Sequence, residues 1–260
     1  MRDIFPATAA RVAEWAADPG VLGVLLVGSQ SRGHADAISD DDLEVLLSDA
    51  AFAALPPADC AALLFDDATP PQLIYDAEYT SLTDLRRKAT SPHDLDRWPY
   101  ERAGVLFDRD GTVAPAVAAA GRMDPAFRHL RLLHATLDTA IAARRAQKTL
   151  GREFPAAGRL LIARGAKALA RILFALESRW VPLDHWLEPE LRTLTDPTGA
   201  GPQLLTALGE ARPEPLLTAL AGLEDRLAAE DVPRPADRRA LFYEVLHPTR
   251  AAERAVHGLY

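Results

Sequence analysis

The sequence predicts an α+β chain: a strand-bearing N-terminal half followed by an all-helical half. Two observations carry this. Short runs of branched apolar residues bounded by Gly, Pro and Asp, the mark of buried strands, occur only before about residue 120. Beyond Met123, long Ala/Leu/Arg segments with apolar residues at helical spacing take over. The expected domains are 1–122 and 123–260. A chain of 260 residues, 48% hydrophobic and 25% charged, is long enough to bury a core without disulfide or zinc support.

Pro6–Ala17 reads as a helix with Pro6 in its first turn and Ala9, Val12, Ala13 and Ala16 on one stripe. Asp18-Pro19-Gly20 ends it. Val21–Val27, VLGVLLV, is a short buried strand, and Gly28–Gly33 is the turn that breaks it. A second strand covers Leu43–Leu47, starting near Asp41. Pro56-Pro57 and Pro70-Pro71 bracket a loop or short helix. Leu73–Thr80, LIYDAEYT, is a third strand and Arg102–Phe107 a fourth, closed by the turn Asp108–Gly111. Helices are expected from Asp124-Pro125 towards Lys148, over Pro155–Arg179, and at 183–195, 202–210, 213–229 and 235–246.

Charge and composition exclude several functions. Lys and Arg number 29 against 37 Asp and Glu, a formal net charge of −8 at pH 7. Such a chain is a poor partner for a nucleic-acid duplex. The single cysteine, Cys60, forms no internal disulfide and no Cys-rich zinc site. No run of ~18 apolar residues predicts a membrane span, and residues 1–19 lack the apolar stretch of a signal peptide. The expectation is a cytoplasmic protein. Its oligomeric state is not legible.

Chemistry concentrates in Val24–Leu47, VLLVGSQSRGHADAISDDDLEVLL. A strand ends in Gly28-Ser29, and about a dozen residues on, a second strand opens with Ser39-Asp40-Asp41-Asp42-Leu43-Glu44. Alternate strand residues share a face, roughly 7 Å apart, so Asp40, Asp42 and Glu44 align if the strand begins early enough. Carboxylates so placed can share a hard divalent cation such as Mg²⁺, which takes oxygen ligands and substrate phosphates. Gly-Ser backbone amides and the Ser29 hydroxyl can hold phosphate oxygens.

These two elements together resemble the signature of the DNA polymerase β-like nucleotidyltransferase superfamily. Gly28-Ser29-Gln30-Ser31-Arg32-Gly33 stands where that family has GS-x-x-x-G, and Ser39-Asp40-Asp41-Asp42-Leu43 where it has SD-x-DL. The resemblance implies a small mixed sheet. It also implies Asp40 and Asp42 as the metal pair, and Gly28, Ser29, Arg32, Gly33 and Ser39 around the nucleotide. The family adds a third carboxylate from a neighbouring strand, for which Asp76 and Glu78 are the candidates. The flanks of Asp76 resemble the kanamycin nucleotidyltransferase type, as do Trp98-Pro99-Tyr100 and Phe107–Gly111. The segment Leu173–Leu187 is similar to nucleotidyltransferase-like proteins with a helical C-terminal domain. Glu177 stands there for the usual Asn, and His185 for the usual Lys. Kanamycin-type enzymes also draw a catalytic Glu from the first helix of that domain. Ala126–Lys148 has no Glu and only Asp138 as an acid, so the base role stays with Asp76 or Glu78.

The expected activity is transfer of AMP from ATP, with one or two Mg²⁺ held by Asp40, Asp42 and Asp76, onto a hydroxyl of a small polar molecule such as an aminoglycoside-like antibiotic. Arg164 and Lys167, four-residue neighbours on one helix face, are expected to face the triphosphate, with the acceptor between the domains. The alternatives are adenylylation of a partner protein, as in toxin–antitoxin pairs, and non-catalytic nucleotide binding.

Overall fold

The computed structural model describes residues 3–258. It forms two compact units, divided between Arg122 and Met123.

The first unit is a five-stranded mixed sheet with helices on both faces. Its elements are α1 (Pro6–Ala17), β1 (Val21–Leu26), α2 (Gly28–Arg32), β2 (Asp41–Leu47), α3 (Asp49–Ala54), β3 (Ala61–Phe65), β4 (Leu73–Ser81), α4 (Leu82–Lys88), α5 (Asp94–Arg97), β5 (Gly104–Asp108) and α6 (Val113–Gly121). Strand order is β3-β4-β2-β1-β5. β2 and β4 run parallel; every other pairing is antiparallel.

Alternation along β2 and β4 builds two cores. On one face Leu43, Val45, Tyr75 and Ala77 pack with Trp15 of α1. Trp15 meets Tyr75 and Tyr79 edge-on and donates its indole N–H to the Tyr79 hydroxyl at 2.9 Å. This uses the aromatic positions of LIYDAEYT and turns the acidic ones to the opposite face. There, Leu25 and Leu46 pack under α4 and α6, with Leu85, Val113 and Val117. The face of β2 thus reads Asp42, Glu44, Leu46: apolar under the helices, acidic at the other end.

The sequence expectations need three corrections in this unit. Gly28–Gly33 is not a bare turn, because Gly28–Arg32 is a short helix ended by Gly33 in the left-handed conformation, φ +75°. The segment between the proline pairs carries an unforeseen edge strand, β3. The last strand starts at Gly104 rather than Arg102.

The second unit is all helical: α7 (Pro125–Leu150), α8 (Pro155–Leu176), α9 (Leu187–Leu191), α10 (Ala200–Glu210), α11 (Glu214–Gly222), α12 (Glu224–Ala228), α13 (Arg238–Leu246) and α14 (Ala251–His257). Asp124 caps α7 by accepting from Ala126 and Phe127 N–H, and Pro125 occupies its first turn. α8 ends at Leu176, short of Arg179, because Ser178 takes a left-handed φ of 57°. The helix expected at 183–195 is a 3₁₀ turn plus α9, 213–229 divides into α11 and α12, and a further helix, α14, follows the last expected one. Among the described residues no helix is long and apolar enough to cross a membrane.

Candidate active site

The parallel pairing of β2 with β4 sets Asp42 directly beside Asp76 and Glu44 beside Glu78. Asp40 lies just before β2 rather than within it. One carboxylate oxygen from each of Asp40, Asp42 and Asp76 lies within 4.8 Å of the other two, and all three residues are half-buried. Glu78 is exposed on the same face, one pleat away, outside this cluster.

The chain goes to some length to hold Asp42. Gly28 has φ +62°, and a Cβ there would stand 1.8 Å from Asp42 Oδ2, so no other residue fits. The Ser29 backbone N–H donates to the Asp42 carboxylate, and Val27 N–H donates to the Asp42 carbonyl at 2.9 Å. Asp41, between the two site carboxylates, points the other way and is fully buried. It accepts from Phe5 N–H at 2.8 Å and from Gln30 Nε2 at 3.1 Å, tying β2 to α2.

The remaining predicted residues fall in three places. Ser29 and Arg32 are buried within α2. Arg32 stacks on Trp98, donates to the Trp98 carbonyl at 3.1 Å and pairs with Glu101 at 3.1 Å, which anchors α2 to the segment before β5. Ser39 is buried in the loop ahead of β2, exchanging hydrogen bonds with Asp36. Arg164 and Lys167 lie on α8 in the helical unit and line a cavity of about 520 Å³ there; Lys167 pairs with Asp184 at 2.5 Å. Asp138, the sole acid of α7, is fully buried 3.8 Å from Arg254.

Glu44, expected on the face of Asp42, has two partners that the sequence does not reveal. Glu44 is buried one pleat from Asp42, accepting from Lys88 at 3.0 Å and from the Tyr100 hydroxyl at 2.5 Å, while Lys88 also contacts Tyr100. Residues 44, 88 and 100 share no motif spacing, so only the fold reveals the cluster.

Electrostatics match the crowding. Burial, then the Asp40 and Asp76 charges, push the Asp42 carboxyl up to about 7. Burial, then Asp40 and Glu78, raise Asp76 as well. The Tyr100 hydroxyl is driven upward by burial and by Glu44. The three-carboxylate group therefore stores repulsion that a cation among the oxygens would relieve. An all-oxygen donor set suits a hard divalent ion. Asp40, Asp42 and Asp76 are thus able to bind metal.

No protein-family model matches the chain, and no curated protein matches it. Among solved structures, the chain is similar to that of a nucleotidyltransferase-like protein from Exiguobacterium sibiricum. Identity is 14% and the TM-score 0.46, over 96% of this chain and 87% of the other.

Proposed function

We propose that the chain is a metal-dependent nucleotidyltransferase that moves AMP from ATP onto a hydroxyl of a small polar acceptor, such as an aminoglycoside-like molecule. The observation that carries it is the convergence of Asp40, Asp42 and Asp76 within 4.8 Å, directly against the Gly28-Ser29 corner. The donors fit Mg²⁺: three hard oxygens, two of them with proton affinity raised by burial and then by the neighbouring carboxylates. When bound, the cation would polarise the phosphoryl oxygens and offset charge on the leaving pyrophosphate.

The chain's own residues do the rest. Asp40, Asp42 and Asp76 would hold the cation, and through it the phosphates. The Gly28-Ser29 corner lets backbone approach a phosphate closely, in a segment kept rigid by Gln30, Ser31 and Arg32. Asp76 or Glu78 receives the acceptor's proton as its oxygen bonds to the α-phosphorus and the bond to pyrophosphate breaks. Ser39 supports the loop that delivers Asp40. Arg164 and Lys167 remain candidate cations for the triphosphate on the charge argument alone.

The test is incubation with each labelled nucleoside triphosphate, Mg²⁺ and a panel of metabolites and antibiotics, read by mass spectrometry. An acceptor gaining one nucleoside monophosphate supports the proposal, and Asp42→Asn should abolish it. Label on a protein instead assigns protein adenylylation; nucleotide binding with no label anywhere assigns a binding role.

A further inference from the structure

The helical unit carries a groove whose charge is opposite to that of the acidic triad. Between the C-terminal half of α7 and α13 lies a groove of about 660 Å³. Five cationic side chains line it: Arg144, Arg145 and Lys148 from α7, and Arg238 and Arg239 from α13. Among the described residues no acid lines it, although acids outnumber bases in the chain. Its floor is apolar, with Leu137, Ile141 and Leu241, and its rim is aromatic. Phe242 and Tyr243 stand there 51% and 60% exposed.

Local electrostatics explain only part of this. Arg144, Arg145 and Lys148 occupy the last turns of α7, where the helix dipole favours cations. Arg238 and Arg239 sit in the first turn of α13, where the dipole opposes them and acids are the usual occupants. Asp237 is spent on capping that helix, accepting from Ala240 N–H at 3.0 Å. Like charges gathered on two helices around one hollow repel unless an anion lies between them.

We propose that this groove binds a small organic polyanion: phosphate or carboxylate groups held by the arginines, and a planar body against Phe242 and Tyr243. A hollow of this size suits a small molecule rather than a macromolecule. Guanidinium forks match phosphate and carboxylate oxygens. Exposed rings beside cations offer a stacking surface. Nothing here depends on the transferase proposal, since the acidic triad belongs to the other unit.

The experiment uses the full chain in EDTA at low salt. Inorganic tripolyphosphate is titrated calorimetrically, and 8-anilinonaphthalene-1-sulfonate serves as the aromatic anion, read by fluorescence. Saturable binding of both is expected, with tripolyphosphate displacing the dye. Arg144→Gln/Arg238→Gln should weaken both by about tenfold or more. Phe242→Ala should weaken the dye while leaving tripolyphosphate within about twofold, because a ring contributes to the planar body only. If the double variant melts early, the exposed single Arg238→Gln carries the test. Absence of saturable binding, unchanged affinity in a folded Arg238→Gln variant, or binding of a single-stranded oligonucleotide but neither small anion would overturn the proposal.

Discussion

Gly28 and Asp42 occupy one space: a methyl group on Gly28 would overlap the Asp42 carboxylate, at 1.8 Å from Oδ2. A backbone position and a site carboxylate, fourteen residues apart in sequence, are therefore a single structural unit. Gly28→Ala should displace Asp42 and also strain a left-handed backbone, costing about 1–2 kcal/mol for the conformation alone. Urea unfolding should show at least that loss. Calorimetric titration should show Mg²⁺ binding weakened beyond detection. Wild-type metal affinity in this variant would mean that Asp42 is not a ligand.

Metal should be required for nucleotide binding. Asp40, Asp42 and Asp76 repel a polyphosphate unless a cation lies between. ATP titrated with Mg²⁺ should bind at least about tenfold more tightly than in EDTA, a difference of about 1.4 kcal/mol. Equal affinity in both would remove the metal from the proposal.

Stability should respond to pH in two opposite ways. Asp42 has a folded-state pKa of about 7, above the ordinary carboxylate value. Between pH 4 and 7 the folded chain keeps a proton that the unfolded chain has lost, so this group destabilises the metal-free protein as pH rises. His134 and His257 stack at 5.8 Å in the helical unit, buried and each depressed to about 4, first by desolvation and then by neighbouring charge. Below pH 6.5 the unfolded chain binds protons that the folded pair refuses, so stability falls as pH drops from 6.5 through 4. Thermal unfolding followed by a probe in each unit should separate the slopes. Asp42→Asn or saturating Mg²⁺ should abolish the first and leave the second.

Local pattern carried much of this fold into view, and what it missed has physical causes. The alternation in LIYDAEYT sets Asp76 and Glu78 on one face against Tyr75 and Ala77, and the structure seats Tyr75, and with it Tyr79, on Trp15. β3 was hidden because AALLF is short, Ala-rich and at the sheet edge, with Leu63 and Phe65 exposed. α2 was hidden because GSQSR has little helix propensity; distant partners hold it, Gln30 on Asp41 and Arg32 on Trp98. Asp40 and Asp42 could be named from a two-part motif, but Asp76 only as an alternative to Glu78, because its place beside Asp42 depends on a parallel strand pairing, which no short-range signal encodes.

Conservative substitutions should separate the acidic triad from its neighbour Glu44. Glu44 shares the face of Asp42 but is already neutralised by Lys88 and hydrogen-bonded by Tyr100. Glu44→Gln should therefore reduce transfer less than Asp42→Asn, which removes a charge with no protein countercharge. Lys88→Met should be the more damaging change to stability. It leaves Glu44 buried with its counterion gone, a situation that costs several kcal/mol when the charge cannot reach water and about 1–3 kcal/mol when water partly reaches it. Combining Lys88→Met with Glu44→Gln removes the stranded charge, so the double variant should regain stability relative to Lys88→Met alone. Chemical denaturation of the wild type, both single variants and the double variant closes the cycle. Strictly additive losses would show that the pair does not interact, and a Glu44→Gln turnover as low as that of Asp42→Asn would place Glu44 inside the reacting group.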